Sequence, residues 1–394
     1  MIAAHQSPTL DHLLGKAADG QRLSVDEALH LAADASLAAL GLAADVRRSQ
    51  LHPGRRVSYI VERNINYTNI CNVYCRFCAF YRPPGRPGGY TLGKGELAAK
   101  MDETVAAGGI QILLQGGLNP QLGIAYYEDL FRWLKQHYPT VNLHALSADE
   151  ILHVCKVSDL SIEESLARLI AAGMGSLPGA GAEILVDRVR QRIARLKSSA
   201  DKWLAVHRTA HRLGIPSTCT MMFGVEETWH DRLLHLEMLR QLQDETGGFT
   251  AFITWPYQQG ELKLASGNTS AAEYLRVQAL ARLFLDNIPH LQSSWVTQGP
   301  SVGQIALSFG ADDFGAVMFE ENVVSAAGTT FRMNSEFIES QIRLAGYTPW
   351  RRNVHYRAAG DGMAMHPTVC PPSPVHPSGD TPRQDRSRET QDGP

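Results

Sequence analysis

Cysteine is scarce in this chain, with 6 residues in 394. Six thiols spread over that length cannot staple a fold, so a secreted disulfide scaffold is excluded and a reducing compartment is expected. An excess of one charge is also missing: 37 Lys and Arg stand against 40 Asp and Glu, giving a net charge of -3. The basic residues are dispersed, which leaves no electrostatic case for nucleic acid and points to a small-molecule ligand. Long hydrophobic runs are absent too, since the Ala/Leu-rich stretch from Ala28 is broken by Asp34 and Asp45. The opening residues, Met1-Ile-Ala-Ala-His-Gln, have neither a basic segment nor a continuous apolar one. The expectation is a soluble cytoplasmic protein without membrane insertion.

Against that scarcity, three of the cysteines fall together in Cys71-Asn-Val-Tyr-Cys75-Arg-Phe-Cys78, just beyond a strand-like run from Val57 to Ile65. They are too close to pair usefully with one another. A structural zinc site is closed and tetrahedral and would want a fourth Cys or His nearby, yet the next His is His137 and the next Cys is Cys155. An iron–sulfur cubane takes thiolates as its natural ligands, and three of them leave one corner iron open to a substrate or cofactor. An inert metal knot in a binding protein is the non-enzymatic alternative. Cys155 and Cys219 stand alone in apolar surroundings and read as buried core thiols, and Cys370 lies in a tail-like context.

Residues 1–56 alternate helical runs with polar breaks, including Ser24 to Leu40, where Ser24 and Glu27 form a capping box. From Val57 onward short apolar runs alternate with longer periodic ones. The strand candidates are Val57–Ile65, Ile110–Leu114, Val141–Ala145, Met174–Leu177, Ser217–Phe223, Phe249–Thr254, Leu291–Val296 and Phe314–Met318. Helical patterns separate them, among them Ile124–Tyr138, Ala148–Val157, Ser161–Ala172, one from about Ala182, Ser199–Leu213, Thr228–Glu245, Ser270–Phe284 and a short one near Val302. This order predicts an α/β fold, a (β/α)8 TIM-type barrel over 57–356, with an N-terminal helical extension over 1–56. Residues 367–394, rich in Pro, Ser, Arg and Asp, read as a disordered C-terminal tail. Sites of such barrels sit at the carboxyl ends of the strands, where the cysteine loop falls.

The cysteine triplet and the aromatic loop Ala79-Phe80-Tyr81 that follows it resemble the signature of radical S-adenosylmethionine (SAM) enzymes. That resemblance implies a 4Fe–4S cluster held by Cys71, Cys75 and Cys78, with Phe77 at the motif's aromatic position and SAM chelated to the open iron. Longer stretches are similar to the futalosine-pathway branch of menaquinone biosynthesis, and most to the members that cyclise dehypoxanthine futalosine. They are Asn64 to Cys71, Cys78 to Arg82, Leu143 to Ser147, Gly181 to Arg188, Asp244 to Phe252, Trp295 to Pro300 and Glu320 to Gly328. Asp312 departs from the pattern, which would have Asn there.

The resemblance also gives roles to residues at the strand ends. Gly116 and Gly117 match the place of a Gly-Gly-Glu that holds the methionine end of SAM, although Leu118 replaces the acid. Ser147 reads locally as a helix cap with Glu150 and, by resemblance, as a contact to SAM or substrate. Glu183, after the Gly-rich turn Gly179-Ala-Gly181, is expected to face SAM, with Arg188 one turn on as a lesser candidate. Its local alternative is an acid at a helix N-terminus. His144 and Glu227 have structural readings at least as good as functional ones. The implied reaction abstracts a sugar hydrogen and closes the carbon radical, at C4', onto the benzoate ring, with the electron drawn from an external donor such as flavodoxin or ferredoxin. An aminofutalosine synthase or a deazaflavin-precursor synthase is the alternative within the same superfamily.

Overall fold

The β-branched and apolar runs pair into a single nine-stranded sheet. Its strands are β1 (Arg56–Asn66), β2 (Gln111–Gln115), β3 (Asn142–Ala145), β4 (Met174–Ser176), β5 (Ser217–Phe223), β6 (Phe249–Pro256), β7 (His290–Gln292), β8 (Asp313–Met318) and β9 (Thr348–Arg351). The spatial order is β4-β3-β2-β1-β8-β7-β6-β5, all parallel. A parallel bridge between Leu177 and Ser217 joins the two outer strands and closes the ring. It is sealed by Leu177 N donating to the Pro216 carbonyl at 3.0 Å and Thr218 N to that of Leu177 at 3.1 Å. Helices between successive strands cover the outside, as right-handed parallel crossovers require. The computed structural model describes residues 8–259, 264, 269–320, 322–323, 325–328 and 331–359. The segment 367–394, read as a tail, lies outside the described residues, and so does Cys370. Among the described residues no helix is long and apolar enough to cross a membrane.

The barrel predicted from the β/α alternation is present, and the structure departs from the sequence reading at several points, beside the helices Lys94–Ala106 and Ser335–Leu344 that no pattern named. The run from Ser24 is two helices, Val25–Asp34 and Leu37–Leu51, because Ala35 turns extended and Ser36 caps a fresh start by accepting from Ala39 N at 3.1 Å. No helix begins near Ala182. Gly181 and Glu183 both have positive φ, +88° and +42°, so the chain stays irregular until Asp187. The seventh strand stops at Gln292, and Trp295 opens a helical turn with its side chain buried. Finally, β9 was not foreseen. Its four residues pair in parallel with Arg56–Tyr59 at the start of β1, and they carry Arg352 into the barrel, where it meets Asp313.

The N-terminal helices pack on the barrel's outer wall. Arg240 donates to the Leu23 carbonyl at 2.9 Å, and Arg276 donates to that of Ala35 at 2.7 Å. A buried arginine such as Arg240 that ends on a main-chain carbonyl fixes geometry more than it adds stability, because desolvation consumes much of the gain.

Candidate active site

The cysteine loop leaves the carboxyl end of β1 and is held by main-chain bonds on several sides. Cys71 N donates to the Arg82 carbonyl at 2.9 Å, Asn72 N to Leu118 at 3.3 Å and Arg76 N to Ile193 at 2.9 Å. These bonds tie the loop to itself, to the segment after β2 and to the helix Asp187–Ile193. Tyr74 takes a positive φ of +56°, which a bulky residue adopts only where its surroundings impose it. The three thiols are free, Cys71 buried and Cys75 and Cys78 partly so. Burial pushes the thiols of Cys75 and Cys78 up, while the cation of Lys197 pulls against it. Cys71 and Cys78 add to the rise at Cys75, and Cys71 to that at Cys78, so the three sulfurs lie near one another.

Gly116 and Gly117 form the adjacent wall. A Cβ on Gly117 would lie 2.3 Å from the Ile70 carbonyl oxygen and 2.9 Å from Cys71 Cβ. On Gly116 it would lie 2.8 Å from the Tyr67 ring. Both glycines therefore let the end of β2 touch the cysteine loop directly, which the sequence pairing only suggested. Leu118, where an acid was missing, is followed by a turn in which Asn119 Oδ1 accepts from Gln121 N at 3.1 Å.

A buried carboxylate nearby comes from another element. Glu150, in the helix Ala148–Ser158, accepts from Gly116 N at 2.9 Å, from the Tyr67 hydroxyl at 2.6 Å and from Ser147 N at 2.6 Å. One buried side chain thus joins the ends of β1, β2 and β3. Ser147 is the helix cap, accepting from Glu150 N at 3.2 Å, and it remains buried at the barrel mouth. Burial pushes the Glu150 carboxyl up to about 7 against the pull of its hydrogen bonds. Its stabilising contribution is therefore complete below the ordinary value of 4.5 and is lost as pH rises through about 7, a swing on the order of 3 kcal/mol. Between about pH 5 and about pH 8 the urea midpoint of the protein is expected to fall more steeply than that of Glu150→Gln. Parallel pH slopes would remove Glu150 from this account.

The turn after β4 supplies the opposite wall. Gly179 packs so closely on β5 that a Cβ would meet Cys219 Cα at 2.6 Å. Arg190, buried, donates to the Gly181 and Ala182 carbonyls and holds the turn open. Glu183 is buried at its end and pairs with Lys197, whose ammonium also lies 3.5 Å from Asp149 and 5.3 Å from the centre of the Phe77 ring. Phe77 thus lies against this cation. Arg188 is turned to Asp231 at 2.6 Å and is half exposed, so the cation beside the sulfurs is Lys197. No motif marks Lys197; it sits 14 residues beyond Glu183 in an irregular stretch. Lys197→Met would leave two buried carboxylates without their cation, and a loss of about 3 kcal/mol in urea unfolding is expected. Adding Glu183→Gln should restore part of it, and full stability in the single variant would contradict the pairing.

Inside the ring the side chains are polar and mutually satisfied. His144 contacts Ser176 Oγ at 2.7 Å, and burial lowers its imidazole to about 3, so it is neutral. Asn142 bridges Ser176 at 3.0 Å and Gln111 at 2.8 Å, and Gln111 donates to Glu62. Glu227 is bound to Gly224 N at 2.7 Å and to Arg232 at 2.7 Å, which makes it a turn anchor.

These residues suit an iron–sulfur cluster with SAM. Three thiols lie in one loop, glycines admit close main-chain approach, and Asp149 Oδ2, buried with no hydrogen bond among the described residues and with the Lys197 ammonium 3.5 Å away, keeps capacity to accept from a ligand. Comparison with known proteins agrees. The model of the radical SAM superfamily matches residues 65–239, and that of the CofH/MqnC C-terminal region matches 246–364. The chain is 43% identical to the cyclic dehypoxanthine futalosine synthase of Halalkalibacterium halodurans over 88% of this chain and 94% of that one. It is 46% identical to the protein of that name from Streptomyces coelicolor, over 88% of each. With the aminodeoxyfutalosine synthase of Thermus thermophilus the identity is 39%, over 89% of this chain and 96% of that one.

Proposed function

Because the chain belongs to the radical SAM superfamily, in the branch that carries a CofH/MqnC C-terminal region, we propose that it closes dehypoxanthine futalosine to its cyclic form in menaquinone biosynthesis. The observation that carries this reading is the identity of 43% and 46% to two synthases of that name, together with the cysteine loop at the barrel mouth. A 4Fe–4S cluster and SAM, when bound, supply the 5'-deoxyadenosyl radical that takes the sugar hydrogen.

The chain's own part is to hold and to shield. Cys71, Cys75 and Cys78 hold the cluster, and Gly116 and Gly117 present main-chain atoms to the methionine end of SAM. Ser147 borders the same space while capping its helix. Glu183, paired with Lys197, accepts from ribose hydroxyls, and Phe77 borders the same space. Arg188 stays with Asp231 at the rim and supports the turn that carries Glu183. Ring closure joins the sugar carbon to the benzoate ring and releases one proton and one electron, so donor carbon and ring must be held in near-attack order away from water. Helices and loops converging on the mouth of the barrel provide that order. The reducing electron comes from an external donor of flavodoxin or ferredoxin type, which meets the loop where Tyr74 is exposed.

The test is anaerobic reconstitution with iron and sulfide, followed by reductant, SAM and dehypoxanthine futalosine, with products read by mass spectrometry. A product two hydrogens lighter than the substrate, with free 5'-deoxyadenosine, is expected. Incorporation of the adenosyl group into the product of an enolpyruvyl benzoate would instead assign an aminodeoxyfutalosine synthase.

A further inference from the structure

The opposite end of the barrel holds a second constellation, outside the site just described. His52 caps the helix Leu37–Leu51 before β1, His290 opens β7 and Asp312 immediately precedes β8. In the ring the order is β1-β8-β7, so three residues far apart in sequence meet at the amino ends of neighbouring strands. Their ligand atoms all lie within 4.8 Å of one another. Asp312 is buried and divides its two oxygens. Oδ1 accepts from Leu291 N at 2.8 Å and from Arg282, while Oδ2 faces His290 Nδ1 at 2.5 Å and His52 Nε2 at 3.3 Å. We propose that His52, His290 and Asp312 form a binding site for a divalent transition-metal ion of the zinc class, separate from the iron–sulfur site.

The donor set is that of a zinc site, two imidazoles and one carboxylate, with a fourth position left to water. Such ligands stand about 2.0–2.2 Å from the ion, so an opening of less than about 1 Å at the His290–Asp312 contact would admit it. The orientation of each donor is already set by its neighbours. Arg282 and Leu291 N hold Oδ1 and leave Oδ2 as a one-oxygen ligand, which is how outer partners orient a metal-binding carboxylate. His290 lies between two rings, stacked on Tyr356 at 3.6 Å and on His52 at 4.8 Å, so its plane cannot swing. Without the ion, His52 Nε2 is satisfied by the Pro289 carbonyl at 2.8 Å and His290 Nδ1 by Asp312. Binding needs His52 Nε2 and His290 Nδ1 to be free of a proton and to exchange these contacts for the ion. The side chains of His52 and His290 are 19% and 18% exposed, which gives the ion a path from solvent. The nearby guanidinium of Arg282 opposes a dication, so micromolar affinity is expected. An ion here would tie the N-terminal helical layer to the foot of the barrel.

The test uses the full-length protein with its cluster already built, so that the cysteines are occupied. Titration with zinc against a chromogenic chelator should give one zinc per chain beyond the cluster iron. Cobalt in place of zinc should give a weak visible spectrum without the intense near-ultraviolet band of thiolate ligation. His52→Gln, at a helix end, and Asp312→Asn should each lower zinc affinity at least about a hundredfold while SAM cleavage is unchanged. If Asp312→Asn fails to fold through loss of its pairing with Arg282, His52→Gln still decides. No zinc beyond the cluster site, a thiolate band with cobalt, or unaltered zinc affinity in His52→Gln would overturn the proposal. Failure of cyclisation would leave it standing, since it does not rest on the substrate.

Discussion

Cys71→Ala, Cys75→Ala and Cys78→Ala are each expected to abolish the formation of 5'-deoxyadenosine, while far-ultraviolet circular dichroism stays that of the parent. Three thiolates are the minimum that leaves one iron of a cubane open, and with two the cluster loses a corner that no residue nearby can replace. Among the described residues the other cysteines stand elsewhere: Cys219 is buried in β5, and Cys155 bonds to Ser165 Oγ at 3.3 Å. The fold survives because the loop is tied through main-chain atoms that alanine keeps, at Cys71 N, Asn72 N and Arg76 N. Iron content per chain, 5'-deoxyadenosine yield and the dichroism spectrum are the three readouts. Turnover retained in any one variant would contradict the ligand assignment, and loss of the spectrum would make the loop structural. Cys219→Ala and Cys155→Ala should retain SAM cleavage.

Gly117→Ala is expected to lower SAM cleavage by about a hundredfold and to reduce iron retention, although it adds only a methyl group. That methyl would sit 2.3 Å from the Ile70 carbonyl oxygen, a main-chain atom that no rotamer can move. Relief requires the cysteine loop and the end of β2 to separate by about 1 Å, at a cost of about 1–3 kcal/mol. A displacement of that size between bound reactants is worth about a hundredfold in rate. Gly95→Ala serves as the control, since nothing lies within 4 Å of the added atom. Iron loading and the rate of 5'-deoxyadenosine formation distinguish the two, and a Gly117→Ala protein that matches Gly95→Ala would refute the contact.

Much of the fold was legible because its signal is local. Alternation of short apolar runs with amphipathic ones specifies parallel strands joined by helices, and it placed β5 at Ser217–Phe223 to the residue. It failed where a local pattern was overruled. The segment Ala182 to Val186 reads as helix, but Gly181 and Glu183 at positive φ, with Leu185 N bonded to His235 Nδ1 at 2.9 Å, hold it irregular. Trp295 was read within a strand over Leu291–Val296, whereas the hydrogen bond from Ser294 N to the Tyr274 hydroxyl ends the ladder before it. The strand β9, Thr348-Pro-Trp-Arg351, holds a proline and no apolar run, so nothing local marks it.

By itself the sequence determined the metal chemistry, because three cysteines at one spacing in one loop bring their ligands together whatever the rest of the chain does. It also determined the strand-and-helix alternation, and with it the end of the barrel where that loop must lie. Only the tertiary structure decided what surrounds the sulfurs. Lys197 reaches Glu183 and Phe77, and Glu150 reaches Tyr67 and Gly116, from elements whose spacing in the chain carries no pattern. His52, His290 and Asp312 likewise become neighbours only when β1, β8 and β7 lie side by side. Closing a ring of strands brings distant residues to one rim, and that juxtaposition is a property of the register between strands and not of any segment.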